Sequence, residues 1–76
     1  MIEVREVTLT PREQEVCRLI LKGFPAKEIA RILDIAPRTV DQHTLNIRGR
    51  LGAENRAHMA AHLLVRGLIT MTVEDL

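Results

Sequence analysis

The sequence predicts an all-α fold. Apolar residues recur at helical spacing in four separate stretches, strand-like alternation is confined to the first few positions, and glycine, proline or a capping side chain brackets most of the stretches. With 76 residues the chain makes one small domain. A domain of that size buries about 60% of the surface its unfolded chain exposes, so it is marginal alone and gains stability from a partner chain. One phenylalanine and no tryptophan or tyrosine leave an aliphatic core. They also argue against modules that stack nucleobases on exposed aromatic side chains.

Residues 1–8 alternate briefly and read as an extended arm; the domain proper is expected over 9–69. "LTPREQEVCRLILKG" opens it with a well-marked helix. Thr10 is the N-cap, Pro11 fits the first helical position, and Glu13 stands three residues after the cap, the spacing of a capping box. Val16, Cys17, Ile20 and Leu21 share one face, and Lys22 and Gly23 suit the C-terminal end. "PAKEIARILD" is a second, shorter helix with Ile29, Ala30 and Leu33 inward and Lys27, Glu28 and Arg31 outward. Pro25 serves as its first residue, and the missing side-chain cap costs about 1 kcal/mol. Asp34, Ile35 and Ala36 form a turn in which Asp34 takes the left-handed conformation.

Pro37 starts a third helix. Val40, Thr44, Ile47 and Leu51 share its inner face, with His43 at the edge. Arg38, Gln42, Leu45 and Gly49 lie opposite; Asp41 and Arg48 flank one side, Thr39 and Asn46 the other. Gly52 ends the helix. Gly49 inside it costs roughly 1 kcal/mol relative to alanine, so either the helix frays there or something approaches its backbone. A fourth helix, "NRAHMAAHLLVRGLI", ends at Gly67 and is apolar around much of its circumference, which suggests a subunit contact beside the core stripe. Residues 70–76 form a tail without a strong signature.

Net charge is +1 but unevenly spread: −2 over residues 1–15, +4 over 16–56 and −1 over 57–76. A basic middle is what phosphate binding requires, although alone it is weak evidence. Cys17 is the only cysteine, so neither an intramolecular disulfide nor a cysteine-based zinc site can form. No apolar run approaches the ~18 residues of a membrane span and no signal peptide opens the chain, so a cytoplasmic location is expected. His58 and His62 stand at i,i+4 without a third ligand, and no nucleophile–base–orienter set is visible. No enzyme activity, cofactor or metal is expected. Cys17 is expected to be a core residue, since a reactive thiol needs exposure and a nearby positive charge.

Two helices joined by a three-residue turn, the second with a polar outer face, form the helix-turn-helix layout, in which the second helix enters the DNA major groove. That layout needs a small residue where the helices cross (Ala30), apolar residues that set their angle (Ile35 and Val40), and groups at the helix starts to hold phosphates (Lys27, Arg38 and Thr39).

The residues resemble the C-terminal DNA-binding domain of LuxR-type (GerE-like) transcription regulators, over about 60 residues. The motifs are Leu-Thr-Pro-Arg-Glu from Leu9, Lys-Glu-Ile-Ala from Lys27, Thr-Val from Thr39 with His43 four on, Arg-Leu-Gly from Arg50, and Asn-Arg at Asn55. The resemblance implies four helices, the third reading DNA and the fourth making a dimer contact, in a bacterial or phage regulator. Pro25, Asp34 and Ala36 stand where the family usually has Ser, Gly and Ser; Asp41 and Leu45 stand at base-reading positions that are often basic. Family members usually carry an N-terminal receiver or ligand-binding domain, whereas Met1 here lies eight residues before Leu9, as in a free-standing regulator or an excised fragment.

The function expected is sequence-specific binding of double-stranded DNA by a homodimer that regulates transcription. Lys27, Arg38, Thr39 and Arg50 hold phosphates; Asp41, Gln42 and Leu45 face bases, with Asn46 and Arg48 beside them; Met59, Leu63 and Leu64 make the dimer contact. The alternative is an interaction module that forms heterodimers with a full-length regulator and inhibits it. Asp41, an acid on a surface meant for a polyanion, has three explanations. It pairs with Arg38 near the positive helix start; it accepts from cytosine N4; or DNA binding is weakened and a protein-binding role remains.

Overall fold

The capping box on Thr10 and Glu13 is formed in both directions: the Glu13 amide donates to Thr10 Oγ1 at 3.1 Å and the Thr10 amide to Glu13 Oε1 at 2.9 Å. It starts α1 (Pro11–Leu21) in a computed structural model that describes residues 7–75. α2 (Ala26–Leu33), α3 (Pro37–Leu51) and α4 (Arg56–Val65) follow, then a 3-10 turn at Val73–Asp75; no strand occurs among the described residues. The all-α expectation holds. The extended arm expected at 1–8 falls on residues of which only Val7 and Thr8 are described.

All four helices end in one hydrogen-bonding pattern. After α1, the Gly23 amide donates to the Ile20 carbonyl and the Phe24 amide to that of Leu19; the same two bonds recur at Asp34 and Ile35, Gly52 and Ala53, and Gly67 and Leu68. This Schellman closure needs a left-handed residue at its centre. Three of the four are glycine, and the fourth is Asp34 at φ 56°. An L-residue is strained there, less so for aspartate than for most. Asp34→Gly is therefore expected to stabilise the domain by about 0.5–1 kcal/mol, measurable as a higher urea midpoint. An unchanged or lower midpoint would mean that aspartate is fully accommodated at the turn.

Helix starts are less uniform. Asn55 caps α4, its Oδ1 accepting from the His58 amide at 2.8 Å. Pro25 is the N-cap of α2 rather than its first helical residue, so the helix starts one position later than expected, because the Pro25 ψ of 162° is extended and its carbonyl accepts the first helical bonds from Glu28 and Ile29. Ala36 caps α3 with backbone alone. Neither α2 nor α3 has a side-chain cap, which leaves first-turn N–H groups open to an outside acceptor.

The core takes one stripe from each helix: Val16, Cys17 and Ile20; Ile29 and Ala30; Val40, Ile47 and Leu51; Met59 and Leu63. Ile69 joins it from beyond α4. α3 packs on all three other helices, and the half-buried Ile35 packs from the turn. Cys17 is fully buried, and burial followed by the Glu13 charge pushes its thiol up to about 11, so it stays protonated and inert.

Met59 and Leu63 correct the expected dimer contact. Both are fully buried in the monomer core, and a side chain without exposed surface cannot meet a partner unless the domain opens. The outward stripe of α4 is instead Ala57, Ala61, Leu64 and Val65, with Leu64 at 48% and Val65 at 87% exposure.

Candidate nucleic-acid interface

α3 is held by its apolar stripe, and that fixes what it presents. Val40, Ile47 and Leu51 are buried, and Thr44 is half-buried with its hydroxyl donating back to the Val40 carbonyl at 3.0 Å. On the opposite face Arg38, Asp41, Gln42, Leu45, Asn46 and Gly49 are all exposed. They repeat at three- and four-residue intervals and so form one continuous stripe. Gln42 Nε2 donates to Asn46 Oδ1 at 3.2 Å across one helical turn. Leu45 is 57% exposed. Gly49 lies within an unbroken helix, and a Cβ built there would meet nothing within 4 Å of the protein's own atoms. The helix does not fray at this glycine, and no part of the described chain approaches it.

Asp41 is not paired with Arg38. Among the described residues the ion pairs are Arg12–Glu15, Arg31–Glu28 and Arg50–Glu13. The helix dipole still favours an acid near the start of α3, but the local ion pair that would explain Asp41 most simply is absent.

Four of the eight cations in residues 16–56, and Arg66 beyond them, are tied to groups of the fold. Arg48 is half-buried; its Nη2 donates to the Glu54 carbonyl at 2.6 Å, and its Nε is enclosed without a partner. Arg50 ties the end of α3 to the start of α1: its Nη2 meets Glu13 Oε2 and its Nη1 donates to the Thr8 carbonyl at 3.1 Å. Arg56 donates to the Phe24 carbonyl, Arg66 to that of Leu51 and Arg18 to that of Thr70. Lys27, on the first turn of α2, and Arg38, on the first turn of α3, have no such tie among the described residues. Thr39 is exposed beside Arg38. The structure therefore leaves Arg38 on the outer stripe of α3 and Lys27 at the start of α2 untethered, and sets Arg48 and Arg50 into internal contacts.

Glu13 is 7% exposed. Burial pushes its carboxyl up, but the Thr10 amide, the Arg50 charge and the Arg50 and Thr10 side-chain bonds together outweigh this and hold it below its ordinary value. The other polar cluster is on α4. His58 Nδ1 accepts from the Glu54 amide at 3.1 Å, and the His58 and His62 Nε2 atoms lie 3.2 Å apart. Desolvation, then Arg66 and His58, lower the His62 value. No group of three metal-ligating side chains occurs among the described residues, and no described helix is long and apolar enough to cross a membrane.

Residues 7–63 match the family described as bacterial regulatory proteins, luxR family. The chain is 38% identical over 66 residues to the transcriptional regulatory protein FixJ of Rhizobium meliloti (strain 1021), covering 87% of this chain and 32% of FixJ. It is 34% identical over 64 residues to the regulatory protein SdiA of Escherichia coli (strain K12), covering 84% and 27%. Among solved structures, the Vibrio cholera VqmA–ligand–DNA complex superposes with a TM-score of 0.78 and 32% identity, over 86% of this chain and 29% of that one. The chain spans about a third or less of the length of each. It belongs to the luxR family of bacterial regulatory proteins, and its four helices are that family's helix-turn-helix DNA-binding domain.

Proposed function

We propose that the domain binds double-stranded DNA sequence-specifically to regulate transcription, with α3 in the major groove and two copies joined through α4. The observation that carries this reading is the outer stripe of α3, exposed from Arg38 to Gly49 and used by no other part of the described chain. An α-helix fits the major groove, and the N-terminal half of such a helix meets base edges. Lys27, Arg38 and Thr39 hold phosphates at the starts of α2 and α3, where uncapped N–H groups add to the attraction. Arg48 and Arg50 contribute by bracing the ends of α3; a phosphate contact from either would compete with its internal bonds. The VqmA structure with the same domain fold is described as a DNA complex, which supports the reading.

The outward stripe Ala57, Ala61, Leu64 and Val65 is the surface for the second copy. Two small residues one turn apart allow close approach of a facing helix, and Leu64 and Val65 supply apolar area. The same stripe would serve a heterodimer with another regulator.

The test is equilibrium binding to duplex DNA across a salt series. The log–log slope is expected to be about −0.9 per phosphate neutralised. Lys27→Ala should weaken binding to all duplexes alike and flatten the slope by about 0.9 per phosphate lost. Failure to bind any duplex at low salt, with heterodimers still forming, would replace this reading with the inhibitory interaction module.

A further inference from the structure

We propose that α3 selects base pairs by their exocyclic amino groups, with cytosine opposite Asp41 and adenine opposite Gln42. The inference rests on the reading that α3 enters the major groove and adds which bases it accepts there. Asp41 is exposed and forms no ion pair among the described residues. An ionised carboxylate only accepts hydrogen bonds. In the major groove, guanine N7 and O6 and thymine O4 are acceptors that repel it, and the only donors are the amino groups of cytosine and adenine. The adenine amino group lies beside the N7 acceptor of the same base, whereas that of cytosine does not. Cytosine is therefore the better match for Asp41. Away from such an amino group the carboxylate is a liability on every sequence, because phosphates repel it as well.

Gln42 is already oriented. One of its amide protons is held by Asn46 Oδ1 at 3.2 Å, and on this exposed residue Oε1 and the second amide proton have no partner among the described residues. That acceptor–donor pair matches adenine N6 and N7. Holding the side chain before DNA arrives lowers the ordering cost of the contact, which makes Asn46 a positioning residue for Gln42. Leu45 lies one turn beyond Asp41, is 57% exposed, and offers an apolar surface to a thymine methyl. Arg38 is the only cation on this stripe. The Arg–guanine pairing that dominates many interfaces is thus confined to the first turn of the helix.

The test is selection of bound sequences from a random duplex pool at low salt, using the whole 76-residue chain and the variants Asp41→Asn, Gln42→Ala and Asn46→Ala. All three sites are exposed, and thermal melts of the variants check that each remains folded. The parent should return a motif containing one cytosine and one adenine per half-site. Asp41→Asn should erase the cytosine preference, by roughly ten- to a hundredfold in relative affinity, and raise affinity for unrelated duplexes. Gln42→Ala should erase the adenine preference, and Asn46→Ala should weaken it without affecting the cytosine. A motif with guanine or thymine at those positions, or one that Asp41→Asn leaves unchanged, would overturn the base assignment while leaving DNA binding intact. Recovery of no motif from the parent would end both.

Discussion

Arg50→Ala is expected to destabilise the domain by about 2 kcal/mol, with or without DNA. Arg50 joins the last turn of α3 to Glu13 on α1 and to the Thr8 carbonyl. Removing it leaves a carboxylate that is 7% exposed without its counter-charge. Breaking a fully buried pair costs about 3–5 kcal/mol; the Arg50 side chain is 39% exposed, so solvent screens part of this. In a domain of this size such a loss lowers Tm by roughly 8–16 °C, readable by circular dichroism. The pH dependence has a definite sign. The Glu13 carboxyl is held below its ordinary value of 4.5 in the folded state, so the unfolded chain binds its proton more readily. The stabilisation is fully present above pH 4.5 and is lost as pH falls through the depressed folded value. In Arg50→Ala that acid-side loss should shrink, because burial then opposes only the Thr10 bonds. An Arg50→Ala protein with unchanged Tm but weakened DNA binding would return this arginine to a phosphate contact.

Leu63→Ala and Leu64→Asp should separate folding from association at adjacent residues. Leu63 is fully buried, and its truncation removes about 2–5 kcal/mol. That is comparable to the whole stability of a small domain, so the variant should be largely unfolded at room temperature. Leu64 is 48% exposed on the opposite stripe. Leu64→Asp should leave the monomer within about 0.5 kcal/mol of its parent while placing a charge in the proposed two-copy contact. Sedimentation should then report monomers, and DNA affinity should fall because one half-site is held at a time. A Leu64→Asp protein that remains dimeric would move the contact away from α4.

Local chemistry was readable from the chain wherever a residue acts on its neighbours. Thr10 and Glu13 announced their capping box, Asp34 its left-handed turn, and the spacing of Val40, Ile47 and Leu51 the buried side of α3. α4 was harder. Its circumference carries two apolar stripes, Met59 with Leu63 and Ala57 with Ala61 and Leu64, and periodicity alone does not say which faces the core. Pro25 satisfies two adjacent positions at a helix start, and only its ψ distinguishes them. The arginines were the least legible. Arg50 ends on groups 37 and 42 positions away in sequence and Arg56 on one 32 away. Long flexible side chains find such partners only after the helices have packed, so charge counting overstated how much of the basic middle remains for DNA.

The bare backbone at Gly49 has an evolutionary consequence. Alanine there would gain roughly 1 kcal/mol of helix propensity and meets no obstacle in the protein itself. A laboratory lineage selected for heat resistance alone should acquire that methyl group early. If a lineage required to keep its operator retains the glycine, the vacant spot belongs to the nucleic acid, and the domain stays softer than its own sequence would allow.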